Sequence, residues 1–298
     1  MAGYDGKILA RFIEEVGNGT NITFQLLEDA IESPSCLPFH SEVMLIEPLG
    51  RVHIPETQSF IHSFTGITKN LVVESHGSQS APPHDFYCQQ KSSFNLPAGK
   101  ETGILLHKIL ESIPYQAVNN ATTAEEILPL VKPFIGKSLF ADWLGVITEI
   151  VFNALKTELR HGNESFCLCE IGLESRYHEI EFLYPNNHFA PIEEMHVEGG
   201  LIKGVIDMVC MHSGKYFVID WKSNWLGNDS KDYMQASMSE AMTTHHYHLQ
   251  ASIYRSALER YLRLVDPRPF SEIFGGVYYL FLRGMHVSDE RGGVYLIG

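Results

Sequence analysis

Apolar and polar positions follow two different periods along the last two thirds of the chain. In residues 101–112 (ETGILLHKILES) the apolar side chains recur at helical spacing, which predicts an amphipathic helix. A longer helix is predicted over residues 138–160, with Ser138 as its N-cap. Residues 233–263 are also predicted to be helical, with the strongest pattern in LQASIYRSALERYLR.

Short apolar runs bounded by turn formers predict strands between and after these helices. The predicted strands cover residues 166–172, 177–184, 200–212, 216–224, 275–283 and 293–297. The tetrapeptide His212-Ser213-Gly214-Lys215 predicts a tight turn, so the third and fourth strands form a β-hairpin. Strands mixed with helices in this order predict an α/β fold, a mixed central sheet flanked by helices.

The first 90 residues have a different pattern, in which short apolar runs are broken by turn formers. Residues 74–85 (ESHGSQSAPPHD) predict an exposed linker, because Gly, Ser and Pro oppose regular structure. The segment before this linker is too short and broken for an independent core. We therefore expect an N-terminal extension over residues 1–90 and a main domain over residues 91–298.

Composition and charge exclude several classes of protein. A formal net charge of −14 argues against a protein that coats nucleic acid by bulk electrostatics. The acidic excess lies in the first 200 residues, whereas residues 201–298 hold ten Lys/Arg and ten Asp/Glu. The sequence shows neither a long apolar stretch nor a secretory signal pattern, and its five cysteines form no CxxC pair. We expect a cytoplasmic protein without a membrane span.

The predicted hairpin carries the candidate chemistry. Asp207 and Asp220 lie in otherwise apolar strands and are equally far from the turn, so hairpin pairing places them side by side. Lys222 lies two positions after Asp220 and therefore projects to the same face of the strand. Two buried carboxylates repel each other unless a cation lies between them, and oxygen ligands favour Mg²⁺ or Mn²⁺ over zinc. On the hairpin alone, two strand-end aspartates paired with surface lysines remain an alternative.

Three motifs resemble one family. GVIDMVCMHSGKYFVIDWKSNWLG resembles the PD-(D/E)xK nuclease motif in its RecB form. The following QASIY resembles the QxxxY motif that accompanies it in RecB-type nucleases. Upstream, AGKETGILLHKILE resembles the family's G-x-x-x-H-x-x-x-E helix, with Gly103, His107 and Glu111 at the motif positions. The resemblance covers residues 91–298 and implies a restriction-endonuclease-like fold.

The resemblance also implies roles for individual residues. It makes Asp207 and Asp220 metal-binding carboxylates and Lys222 the catalytic lysine. It adds the His107 side chain and the Trp221 carbonyl as metal ligands. Three supporting residues complete the implied set: Glu179 as the acidic strand residue, with Glu181 as a competing alignment, and Gln250 and Tyr254 as residues that position the DNA or the lysine.

The activity implied by the resemblance is that of an exodeoxyribonuclease V type enzyme in double-strand-break repair and recombination. Such an enzyme hydrolyses DNA, mainly single strands delivered by a helicase, with Mg²⁺; Mn²⁺ substitutes for it, and Ca²⁺ binds without supporting catalysis. RecC- and RecD-type subunits and RecA are the implied protein partners. The chain has no G-x-x-x-x-G-K-[ST] phosphate loop, so we do not expect it to be the ATP-driven helicase itself. The resemblance implies that residues 1–90 are the tail of a preceding helicase region and its linker.

Two other functions remain open at this point. The first is a non-catalytic docking domain for a recombinase or for partner subunits. The second is a nuclease of the same fold that acts in repair or RNA processing on other substrates. Several further residues are also open to two interpretations. Trp221, Trp225 and Tyr233 either stack on bases or pack in the core, and Arg255, Arg260 and Arg263 either contact phosphates or are solvated.

Overall fold

A six-stranded mixed sheet lies between two layers of helices in the computed structural model. The structure describes residues 61–69, 90–136, 138–186, 200–289 and 292–298. Within them, the predicted mixed sheet flanked by helices is confirmed. No helix in these ranges has both the length and the apolar character that a bilayer span requires.

The strands follow the order β1-β5-β6-β7-β8, and β4 pairs with β5. The neighbours β4–β5, β5–β6 and β7–β8 are antiparallel, whereas β1–β5 and β6–β7 are parallel. A separate hairpin joins β2 and β3. The strand bounds are β1 Ile61–Ser63, β2 Glu158–His161, β3 Glu164–Cys167, β4 Arg176–Pro185, β5 Leu201–His212, β6 Lys215–Lys222, β7 Phe274–Phe281 and β8 Val294–Ile297.

The helices divide between the two faces of the sheet. Helices α2 to α5 pack on one face, and α6 and α7 pack on the other. The helix bounds are α1 Phe64–Lys69, α2 Lys100–Ser112, α3 Tyr115–Asn120, α4 Ala124–Ile135, α5 Leu144–Lys156, α6 Gln235–Thr244, α7 Tyr247–Val265 and α8 Phe270–Ile273.

Alternate side chains of the central strands face the two helix layers, which explains why the sequences of these strands are nearly continuous apolar runs. On β6, Phe217, Ile219 and Trp221 face the α2–α5 layer, whereas Val218 faces α6 and α7. Both faces of such a strand are buried, so both sets of alternate positions are apolar. The two polar residues in this pattern, Asp220 and Lys222, fall on the α7 side of the strand.

Strand β5 changes neighbours along its length. Its C-terminal part pairs with β6 as far as Met208↔Ile219, and its N-terminal residues 201–203 pair with β1. The sheet therefore forks just before Met208. This fork is the place where Asp207 and the end of β6 meet.

Two predicted elements were wrong at their ends. The helix predicted over residues 138–160 begins at Leu144 and ends at Lys156, and Glu158 begins β2 instead. The sequence HGNE makes a two-residue hairpin turn with Gly162 at φ 61°, which a helix cannot contain. The strand predicted over residues 166–172 ends at Cys167, where a one-turn 3-10 helix begins.

Helices α3 and α4 lie in a part of the sequence for which no element was predicted. Pro129 and Pro133 lie inside α4, and proline argues against a helix interior. The helix is nevertheless stabilised by packing, because Ile127, Val131 and Ile135 recur at four-residue spacing and are buried.

The boundary predicted near residue 90 stays a prediction. Residues 61–69, on its N-terminal side, contribute β1 to the main sheet, and Ile67 packs in the core beside α7. The linker predicted over residues 74–85 lies outside the described residues.

The β5–β6 turn offers a test of the hairpin. Ser213 and Gly214 have φ of 47° and 75°, the pattern of a type I′ turn, which Asn-Gly suits better than Ser-Gly. We expect Ser213→Asn to raise the free energy of unfolding by about 0.5–1 kcal/mol, and Gly214→Ala to lower it by about 1 kcal/mol. Urea titration followed by circular dichroism measures both; equal midpoints for the three proteins would contradict this turn geometry.

Candidate active site

Asp207 lies at the fork, where the hairpin ladder stops. It is one step beyond the last β5–β6 pair, and its Oδ2 accepts a hydrogen bond of 2.9 Å from the backbone N–H of Trp221. The side chain therefore replaces the backbone partner that a continuing ladder would supply. The predicted register is confirmed, since His212 pairs with Lys215 and Asp220 is the residue beyond Ile219 on the facing strand.

His107 reaches the same fork from α2. Its Nε2 lies 3.1 Å from the carbonyl oxygen of Trp221, and its Nδ1 lies 3.6 Å from Asp207 Oδ1. Gly103 lies one turn earlier on α2, where a Cβ atom would come 3.2 Å from the Ser223 hydroxyl. The glycine therefore lets the helix approach the segment that follows Lys222.

Glu179 completes a group of potential ligands with His107 and Asp207. One ligand atom from each of these three residues lies within 4.8 Å of the others. Glu179 has a φ of 50°, and the β4–β5 pairing skips it while the pairs His178↔Met208 and Ile180↔Ile206 flank it. This local left-handed conformation distinguishes Glu179 from Glu181, which pairs regularly with Val205.

Asp220 lies outside that group and binds Lys222. Its Oδ2 is 2.5 Å from Lys222 Nζ, which confirms that the two side chains share a face of β6. Lys222 Nζ also donates to Gln250 Oε1 over 3.0 Å, and Gln250 Nε2 donates to the Tyr254 hydroxyl over 2.9 Å. A continuous polar chain therefore runs from Asp220 to Tyr254. That Asp207 and Asp220 share one ion stays a prediction.

The electrostatics of the fork favour a bound cation. Burial, followed by the charge of Asp220, raises the pKa of Asp207 well above its usual value. Burial lowers the pKa of Lys222, but its polar neighbours, Asp220 first and then Tyr247 and Asp207, together raise it by more, and the net shift is upward. Burial also lowers the pKa of His107, which favours the neutral imidazole with a free lone pair.

The donor set fits a divalent cation of the hard type. Carboxylate oxygens from Asp207 and Glu179 converge with the Trp221 carbonyl and a single imidazole nitrogen. Oxygen-rich sites of this kind suit Mg²⁺ and Mn²⁺, whereas structural zinc prefers several thiolates and imidazoles. An open cleft of about 650 Å³ beside α2 includes His107, Glu111 and Glu179 in its wall, so two members of the ligand group, His107 and Glu179, are accessible from solvent.

Sequence reasoning missed Tyr247 and Tyr279 beside Lys222. Lys222 Nζ lies 4.0 Å from the ring centroid of Tyr247 and 5.3 Å from that of Tyr279. One signal was present, because Tyr247, Gln250 and Tyr254 share one face of α7 at spacings of three and four. The position of Tyr279, on a different strand, could be found only from the fold.

The other aromatic and basic residues singled out in the sequence either pack in the core or contact neighbouring side chains. Trp221 and Tyr233 are buried, which makes them core residues, and Trp225 is half-buried. The three arginines of α7 have partners within the chain: Arg255 lies over Phe270 and Phe274, Arg260 lies over Tyr184, and Arg263 pairs with Glu259.

Comparison with known proteins finds a matching family model and several similar proteins that carry the same name. Residues 83–293 match the model of the PD-(D/E)XK nuclease superfamily. The RecBCD enzyme subunit RecB of Escherichia coli strain K12 is 32% identical over 220 residues, which are 67% of this chain and 18% of that protein. The Haemophilus influenzae subunit is 33% identical over 219 residues, or 69% and 18% of the two chains. That of Chlamydia pneumoniae is 28% identical over 232 residues, or 78% and 20%. The aligned part is thus about a fifth of each relative.

Proposed function

This chain belongs to the PD-(D/E)XK nuclease superfamily, and we propose that it hydrolyses DNA phosphodiesters with Mg²⁺ at the fork between β5 and β6. The observation that carries the proposal is that a group of potential metal ligands and a buried ion pair lie side by side at one point of the sheet. His107, Glu179 and Asp207 converge there, and the buried Asp220–Lys222 ion pair lies on the next strand. A docking surface requires neither a buried ion pair nor converging ligands.

The metal ligands and Lys222 have different proposed roles in hydrolysis. We assign ion binding to His107, Asp207, Asp220 and the Trp221 carbonyl, with Glu179 in support. A divalent ion bound there polarises the phosphodiester and lowers the pKa of a bound water. Lys222 presents an ammonium group, which orients the attacking water and stabilises negative charge on the pentavalent transition state.

Gln250 and Tyr254 keep the lysine in place. An ammonium donates three hydrogen bonds, and Gln250 accepts one of them opposite the ion pair with Asp220. The Tyr254 hydroxyl fixes the Gln250 amide, so the carbonyl end of the amide faces Lys222.

The water oxygen bonds to phosphorus and gives up a proton to solvent, a P–O ester bond breaks, and the leaving oxygen takes up a proton from solvent.

The biological setting is proposed from the relatives. They are named as subunits of the RecBCD enzyme, and this chain corresponds to about a fifth of each. We propose an exodeoxyribonuclease V type activity on single strands delivered by a helicase, within double-strand-break repair and recombination. RecC- and RecD-type subunits and RecA are the proposed partners. We further propose that Mn²⁺ replaces Mg²⁺ and that Ca²⁺ binds without supporting cleavage.

Metal dependence tests the proposal directly. We expect the chain to cleave end-labelled single-stranded DNA in Mg²⁺ or Mn²⁺, and to lose cleavage in EDTA or when Ca²⁺ is the only divalent ion. Gel electrophoresis of the products, with an RNA strand of the same sequence in parallel, measures activity and substrate class. Cleavage that persists in EDTA, or preferential cleavage of the RNA, would contradict the proposal. Metal-independent binding of a recombinase without cleavage would favour the docking alternative.

A further inference from the structure

A pair of stacked tyrosine rings borders the ammonium group of Lys222. The rings of Tyr247 and Tyr279 are nearly parallel, with their centroids 5.5 Å apart. Lys222 Nζ lies 4.0 Å from the first centroid and 5.3 Å from the second, within the range of cation–π attraction. The negative face of an aromatic ring attracts an ammonium more strongly when water is excluded, and Lys222 is largely buried here.

Contacts on several sides fix the Tyr247 ring relative to the end of β6. Its hydroxyl donates to Asn224 Oδ1 over 3.2 Å, and Asn224 lies two residues after Lys222. Its backbone carbonyl accepts a 2.9 Å hydrogen bond from the Tyr279 hydroxyl. The imidazole of His245 stacks on Tyr247 with a centroid separation of 5.3 Å. The ring is therefore a preorganised surface for Lys222.

We propose that Tyr247 is a positioning residue for Lys222, acting through the face of its ring. The proposal deepens the proposed nuclease function and rests on it. An ion pair with Asp220 and a hydrogen bond to Gln250 hold the Lys222 ammonium group, and rotation about those two contacts is the motion that remains. The Tyr247 ring restricts that motion without competing for the hydrogen bond that the water or the phosphate needs.

Two substitutions at Tyr247 separate its ring from its hydroxyl. Tyr247→Phe keeps the ring face and loses the bond to Asn224, so we expect its kcat to stay within about threefold of wild type. Tyr247→Leu keeps apolar volume and loses the ring face, so we expect kcat to fall by about 10- to 30-fold with KM for single-stranded DNA unchanged. An equal loss in both variants, or no loss in Tyr247→Leu, overturns the proposal.

Tyr184 provides a matched control on the same side of the sheet. It is also buried, it also lies beneath a cation, Arg260 at 4.9 Å, and its hydroxyl hydrogen-bonds to the α7 backbone at Ile253. Tyr184→Leu removes a comparable ring away from Lys222, so we expect its kcat to match wild type. A fall in kcat as large as that of Tyr247→Leu would assign both effects to loosened packing of α7 and overturn the proposal.

A spectroscopic measurement tests the position of Lys222 without any cleavage. In carbon–proton correlation spectra of the whole chain with ¹³C-labelled lysine, ring current shifts the Lys222 ε-methylene signal upfield of exposed lysines. We expect this shift to persist in Tyr247→Phe and in Tyr184→Leu and to become smaller in Tyr247→Leu, where only the more distant Tyr279 ring remains. A Lys222 signal that does not change in Tyr247→Leu overturns the positioning role. An absence of cleavage by wild type would instead count against the nuclease function, so the two failures are distinguishable.

Discussion

Replacing Lys222 by alanine is expected to lower kcat for DNA cleavage by about 10³-fold, because it removes the ammonium group to which we assign charge stabilisation at the reacting phosphate. The same change leaves the Asp220 carboxylate buried without the partner that lies 2.5 Å away. Breaking a buried ion pair in this way costs about 3–5 kcal/mol, so thermal unfolding should also occur at a lower temperature. Cleavage assays and calorimetry measure the two effects.

A second variant separates catalysis from folding. Lys222→Arg keeps a positive charge beside Asp220, so its free energy of unfolding should stay closer to that of wild type. Its planar guanidinium has a different shape from an ammonium, and we expect kcat to remain strongly reduced. Lys215→Ala, at the opposite end of β6, is the matched control and should cleave like wild type. Wild-type cleavage by a folded Lys222→Arg protein would contradict the assigned role.

Asp207→Asn is expected to have opposite effects on activity and on metal-free stability. Asparagine retains an oxygen for the Trp221 N–H but loses the charge that holds a cation, so kcat should fall by about 10³-fold. In EDTA, however, the variant should unfold at a higher temperature than wild type. Burial and the charge of Asp220 oppose ionisation of Asp207, and asparagine removes this cost.

The pH dependence of the Asp207→Asn effect follows from the raised pKa. Between the ordinary carboxyl range and the raised pKa of Asp207, the folded state holds a proton that the unfolded state has lost. Wild-type stability therefore falls as pH rises through this window, and the advantage of the variant grows. Below pH ~4 both states are protonated, and the advantage should vanish. Melting curves in EDTA from pH 4 to 8 test this; a constant difference across that range would contradict it.

Added metal should reverse the order of stability. A ligand that binds the folded state at 100 times its Kd stabilises it by about 2.7 kcal/mol, so Mg²⁺ should raise the Tm of wild type. Asp207→Asn should show little change, because one of the converging ligands is gone. Glu164→Gln, on the separate β2–β3 hairpin, controls for nonspecific effects of lost negative charge. An equal rise in all three proteins would place the ion elsewhere.

The central hairpin could be predicted from sequence because its turn is local. His212 to Lys215 specify a two-residue connection, and that connection fixes the register that leaves Asp207 and Asp220 each one step beyond the last pair, Met208↔Ile219. The identity of the third acidic residue could not be fixed in the same way. Glu179 and Glu181 have the same parity along β4, and only the fold separates them, since Glu179 has a positive φ, is skipped by the strand pairing and approaches His107 and Asp207.

Long-range contacts account for what the sequence did not reveal. Tyr279 is brought to Lys222 by the parallel pairing of β6 with β7, which joins segments more than 50 residues apart. The β2–β3 hairpin was missed because Leu159 continues the apolar period of α5. Tertiary packing and one glycine turn overrode that local pattern.

Arg283 links distant parts of the chain near the fork. It is almost fully buried, and its guanidinium donates to the carbonyl oxygens of Ser223, Ser93, Leu96 and Pro97 at 2.7–3.2 Å. One side chain from beyond β7 thus joins the segment after Lys222 to the segment that leads into the His107 helix. A shortened version that ended after α7 would retain all the proposed ligands and the lysine, yet it would lose the four hydrogen bonds with which Arg283 holds these two segments together. The smallest piece of this protein worth engineering must therefore extend past residue 283.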